Sequence, residues 1–93
     1  MSERAYELAW SPTARRDLTK LPEKVATVAI EFLYGPLADN PHRVGAPLKL
    51  GLAGLYSARR GDHRIIYAID EEARVVQVVT IEHRSDVYRR RQP

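Results

Sequence analysis

Arg59, Arg60, His63 and Arg64 crowd the stretch "GLYSARRGDHRIIYAID" (54–70), while His83, Arg84 and Tyr88 close "IEHRSDVY" near the C-terminus. Guanidinium forks suit bidentate contact with phosphate and stacking on bases. An imidazole titrates near neutrality and can act as base or acid, and a tyrosine can stack on a base or donate a proton. Like charges on neighbouring strands repel unless something neutralises them, and a polyanion would do so. RNA is a polyanion that carries its own nucleophile, the 2'-hydroxyl. Cleavage without a metal then needs a base for that proton, an acid for the 5'-oxygen and cations around the pentavalent phosphorus. In-line geometry supplies much of the rest.

Arg64 follows His63 on a strand whose alternate residues Ile65, Tyr67 and Ile69 read as core, so its guanidinium is expected on the opposite face as the phosphate clamp. The competing reading is a solvated arginine paired with Asp62 or Glu82. His83 is a candidate base or acid, although it shares parity with Val79 and Ile81 and so also reads as a hydrogen-bonded core histidine. Arg84 and Tyr88 complete the candidate catalytic set. Arg59 and Arg60 point to opposite sides of their strand, one to the groove and one to its rim, and the alternation does not decide which. Lys49, in the loop before, can reach the same groove. Arg89 and Arg90 belong to a basic tail of about residues 89–93 that adds affinity without specificity.

The charge balance favours the same ligand. Residues 1–40 carry five Lys/Arg against six Asp/Glu, and residues 41–93 carry ten against six. Only three of the cations are lysines, and arginine clustered on one half of a chain with a pI near 9.5 points to nucleic acid. With no cysteine there is neither a disulfide nor a thiolate nucleophile, and histidines at 42, 63 and 83 lack metal-ligand spacing. No metal and no cofactor is expected. No apolar run has the ~20 residues of a membrane span, and "MSERAYELAW" contains no export signal. A single domain over residues 1–93, cytoplasmic and without a membrane partner, is the expectation.

These residues need elements to hold them. "AYELAW" alternates Tyr6, Leu8 and Trp10 against smaller or polar residues, which predicts a half-buried strand. Ser11 and Pro12 then read as N-cap and first residue of a short helix running to about Lys20. Pro22 starts a second helix whose Val25, Val28, Ala29, Phe32 and Leu33 form one apolar stripe, expected to end at Gly35-Pro36 unless "PLAD" adds another turn. The pair makes a helical hairpin. Residues 40–53, with two prolines and two glycines, predict a loop. From Leu55 the alternation returns for three strands in a meander, turning at Gly61-Asp62 and at "DEEA". Segregated strands and helices predict an α+β fold, an antiparallel sheet with its helices on one face and its arginines on the other.

"PLKLGLAGLYSARRGDHRIIYAID" followed by "IEHRSDVYRR", behind a strand and "SPTARRDLTKLP", resembles the RelE/ParE superfamily of bacterial toxins, and its RelE branch in particular. The resemblance runs from Tyr6 to Arg90 and is most specific in the "LYSAR.GD.RIIY" hairpin and the terminal "HR...VY". It implies a RelE-like fold and a metal-independent endoribonuclease that cuts mRNA in the ribosomal A site and so inhibits translation. It implies a cognate antitoxin as partner, beside ribosome and mRNA, with operator DNA reached only through the antitoxin. It also implies that Arg64 contacts the scissile phosphate and Tyr88 stacks on a base, with Arg59, His83 and Arg84 assisting. The chain departs from the family where "LYSA" offers neither the lysines nor the glutamate that some members use, which makes His83 the candidate substitute base. His63 stands where a tyrosine is usual. Two alternatives stay open: a ParE-like poison of DNA gyrase, and a catalytically weak corepressor that only binds an antitoxin.

Overall fold

The computed structural model describes residues 5–48 and 54–85 of the 93. Strand β1 (Glu7–Trp10) is followed at once by α1 (Pro12–Thr19), because the Ser11 hydroxyl accepts from the Ala14 amide at 2.9 Å and Pro12 has no N–H left to satisfy. Helix α2 (Glu23–Phe32) starts after Pro22. Of the two expected ends, Gly35-Pro36 or a further turn over "PLAD", the chain takes the second. The chain continues through a π-helical turn, Leu33–Leu37, with Pro36 inside it. The wider turn accommodates a residue that has no N–H for the ladder, and it carries two leucines, Leu33 and Leu37, that are fully buried.

The stretch expected to be a loop holds more structure than its composition suggests. Within its described part lie α3 (Pro41–Val44) and a two-residue strand β2 (Ala46–Pro47). Pro41 opens α3, and its carbonyl accepts from the buried Tyr67 hydroxyl at 2.7 Å. Burial of that phenol, with the nearby Tyr56 ring, pushes its pKa up to about 12. Pro47 is tolerated because β2 is an edge strand. Strands β3 (Leu55–Arg60), β4 (His63–Asp70) and β5 (Val75–His83) form the meander. Gly61 takes a positive φ of 63° in the first turn, and Arg74 takes 57° in the second.

The sheet has five strands where the sequence predicts four, in the order β1-β5-β4-β3-β2, with β1 parallel to β5 and the other pairs antiparallel. One face carries the core: Ala58, Ile65, Tyr67, Val76, Val78 and Ile81 meet Ala14, Leu33 and Leu37 of the helical layer. The fold is α+β with the helices on one face. Ile66, on the other face, is 6% exposed yet lies outside that core cluster.

At the end of the sheet remote from the Gly61-Asp62 turn, Glu71 gathers three elements. The Tyr6 hydroxyl donates to its two carboxylate oxygens at 2.8 and 3.0 Å, the His42 imidazole of α3 pairs with it, and the Arg74 guanidinium lies 4.1 Å over the Tyr6 ring. These contacts hold the Glu71 carboxyl below its usual range, the His42 hydrogen bond contributing most and that of Tyr6 next.

Candidate nucleic-acid interface

The β3–β4–β5 register assembles the site. Arg59 is paired with Arg64, and Arg64 with Glu82. Their neighbours in sequence, Ala58, Ile65 and Ile81, are buried in the core, so the pleat turns Arg59, Arg64 and Glu82 to the face away from the helices. Directly opposed residues have Cβ atoms about 5 Å apart, and the three side chains therefore form one charged row. Among the described residues no salt bridge engages Arg64. Asp62, one of its two expected partners, instead lies 3.9 Å from Arg84, an exposed pair at the turn.

The other candidate residues of this end go elsewhere. Arg60 projects to the helix side, where its guanidinium lies 5.5 Å from the Phe32 ring centroid. His63 and His83 are register partners on that same side, with rings edge to face at 5.0 Å. They border a cleft of about 260 Å³ with Asp17, Lys20 and Pro22. The His83 ring nitrogen Nδ1 accepts from the Ser85 amide at 3.1 Å and lies 2.9 Å from its hydroxyl. The structure thus brings Arg59 and Arg64 together, and separates Arg60 and His83 from them by the thickness of the sheet. Lys49, Tyr88, Arg89 and Arg90 lie outside the described residues.

A bulge in β5 produces this division. Ile66 pairs with Thr80 but Tyr67 pairs with Val78, so Val79 is an extra residue. Before it the even-numbered Val76 and Val78 face the core; after it the odd-numbered Ile81 and His83 do. Helix α1 grips the bulge. The Ser11 amide and hydroxyl donate to the carbonyls of Val78 (2.9 Å) and Val79 (2.6 Å), and the Asp17 carboxylate accepts from the Ile81 amide at 3.0 Å. These three bonds continue the β5 ladder beyond the end of β1. Glu82 and Asp17 were not singled out from sequence as site residues; the signal for Glu82 was its reading as a possible partner of Arg64, which the register places directly opposite it.

The family model for the ParE toxin of type II toxin-antitoxin systems matches residues 8–88. Toxin RelE of Mycobacterium tuberculosis is 52% identical over 84 residues, covering 90% of this chain and 87% of the relative. This chain belongs to the RelE/ParE toxins, in the RelE branch. A second toxin of that organism, RelG, is 47% identical over 85 residues, covering 91% of this chain and 98% of RelG. The fold of this RelE-branch toxin is shared with a chain in the crystal structure of the toxin-antitoxin complex RelBE2 from M. tuberculosis, at 45% identity and a TM-score of 0.83, over 88% of this chain and 94% of that one.

Proposed function

We propose that this toxin is a ribosome-dependent, metal-independent endoribonuclease that cuts mRNA in the A site by attack of the 2'-hydroxyl on the adjacent phosphate. The observation that carries the reading is the Arg59–Arg64 row on the face away from the core. Two guanidinium groups opposed across a ladder serve no purpose in folding, and they suit the non-bridging oxygens of a phosphate whose charge grows in the transition state. The ribosome, by holding the mRNA in line, supplies the geometry that so small a set of side chains cannot. In the cell the protein would work in the cytoplasm, inhibit translation, and be neutralised by a cognate antitoxin; the similarity to a chain of the RelBE2 complex supports that partner. Operator DNA would be reached only through the antitoxin. Arg64 is the proposed phosphate clamp, with Arg59 beside it and Tyr88 as the base-stacking residue.

The name of the matched family favours one other reading, a gyrase poison of the ParE type. Purified toxin added to ribosomes programmed with a defined mRNA, with 5' ends mapped by primer extension, separates the two. The nuclease predicts cuts within the A-site codon and none on the same mRNA without ribosomes. No cuts in either tube, with gyrase–DNA cleavage complexes trapped instead, would establish the poison.

A further inference from the structure

The ribonuclease reading leaves the base for the 2'-hydroxyl unassigned, and the register supplies one. We propose that Glu82 is the general base of this toxin. The inference rests on the ribonuclease reading and adds a residue to it. His83, the obvious titratable group at the end of β5, stands on the helix side of the sheet against His63, and its Nδ1 is occupied by Ser85. Glu82 is paired with Arg64 across the β4–β5 ladder and shares the arginine face. It is half-buried, whereas Arg59 at the other end of the row is exposed. A carboxylate about 5 Å from the clamp residue, measured between Cβ atoms, is within reach of a sugar hydroxyl next to the phosphate the clamp holds.

The row also fixes a direction. In-line displacement places the attacking 2'-oxygen and the departing 5'-oxygen on opposite sides of phosphorus. With Arg64 on the non-bridging oxygens, Glu82 lies on the side of the nucleophile and Arg59 on the side of the leaving group. The carboxylate takes the 2'-proton as the O2'–P bond forms; the P–O5' bond breaks, and the 5'-oxygen takes a proton from water. The resulting hydroxide recovers the proton held by Glu82. The products are a 2',3'-cyclic phosphate and a 5'-hydroxyl, with no net proton consumed.

The test is single-turnover cleavage of A-site mRNA by the wild-type toxin, Glu82→Gln, Glu82→Asp and Arg59→Ala at saturating toxin. Each is measured on an ordinary substrate and on one whose 5'-bridging oxygen is sulfur, a leaving group that needs neither proton nor cation. Binding to ribosomes carrying a 2'-deoxy codon is measured in parallel. Glu82→Gln should bind as wild type and cleave about 100-fold more slowly or worse, the usual range for losing a general base, with Glu82→Asp in between. Sulfur should restore Arg59→Ala and leave Glu82→Gln slow. Unchanged cleavage by Glu82→Gln, or its rescue by sulfur, would overturn the assignment while the nuclease reading stood. A wild-type toxin that cleaves neither substrate would remove both.

Discussion

Arg59 and Arg64 stand directly opposite one another across the β3–β4 ladder, on the face of the sheet turned from the core. Placing like charges at that separation works against the fold. Replacing Arg59 with alanine is therefore expected to stabilise the protein by about 0.2–1 kcal/mol, a gain that shrinks as salt screens the repulsion. The same change should slow ribosome-dependent cleavage. Urea denaturation at low and high salt, beside the cleavage assay, checks the trade; a variant that loses both stability and activity would show that Arg59 is structural.

The division of the arginines between two faces predicts unequal effects. Arg64→Ala should reduce single-turnover cleavage by about 100-fold or more, the scale seen when one donor to a developing charge is removed, and should abolish growth arrest. Fold and antitoxin binding should survive. Arg60→Ala, which among the described residues gives up its place over Phe32, should cleave within a few-fold of wild type and cost about 0.5–1 kcal/mol of stability. Equal losses of activity in the two variants would contradict the assignment of the faces.

Helix α1 is predicted to stabilise the bulged strand through side-chain oxygens. Asp17→Ala leaves the Ile81 amide without its acceptor, which should cost about 1–3 kcal/mol. Ser11→Ala removes a helix cap and the bond to the Val79 carbonyl together, with a cost of about 1–2 kcal/mol from the cap alone. Asp17→Asn, which keeps an acceptor oxygen, should recover much of the loss. Thermal midpoints of the three variants, with amide exchange at Ile81, would report it.

Glu71 makes stability depend on pH at the acid end. Its carboxyl titrates below the ordinary value of 4.5 because His42 and Tyr6 bond to the charged form. Its contribution is thus fully present at neutral pH and disappears as pH falls below 4.5 through the folded-state value. Wild type should exceed Glu71→Gln in urea midpoint at pH 7, and the difference should close on acidification. A gap that stays constant down to about pH 3 would mean that the contact is steric rather than electrostatic.

Much of this was legible in the sequence, because period-two alternation and a Ser-Pro cap are strong local signals. Strands β1, β3 and β4 and helix α1 follow from them, as does the exit of Arg64 from the core face. The choice between Arg59 and Arg60 did not follow, because each shares parity with one apolar and one small residue. Phe32, distant in sequence, receives Arg60 on the helix side. The π-helical turn and α3 were hidden for a related reason: Gly35, Pro36 and Pro41 read as breaks, whereas the burial of Leu33 and Leu37 and the Tyr67 hydroxyl bond to Pro41 carry the chain through them. The bulge at Val79 leaves no mark, since "VVQVVTIEH" contains neither glycine nor proline.

That unmarked residue gives the family a cheap route to variation. A lineage that flattened the bulge while keeping Val79, sliding the rest of β5 one residue along the ladder, would restore an unbroken alternation, and everything beyond Val79 would change sides: the imidazole of His83 would come out among the arginines and the carboxylate of Glu82 would turn in beneath the helices. No side chain need be substituted for the groove to exchange one proton acceptor for another. In such a toxin the side chain offered to the groove would be inherited as a matter of strand register.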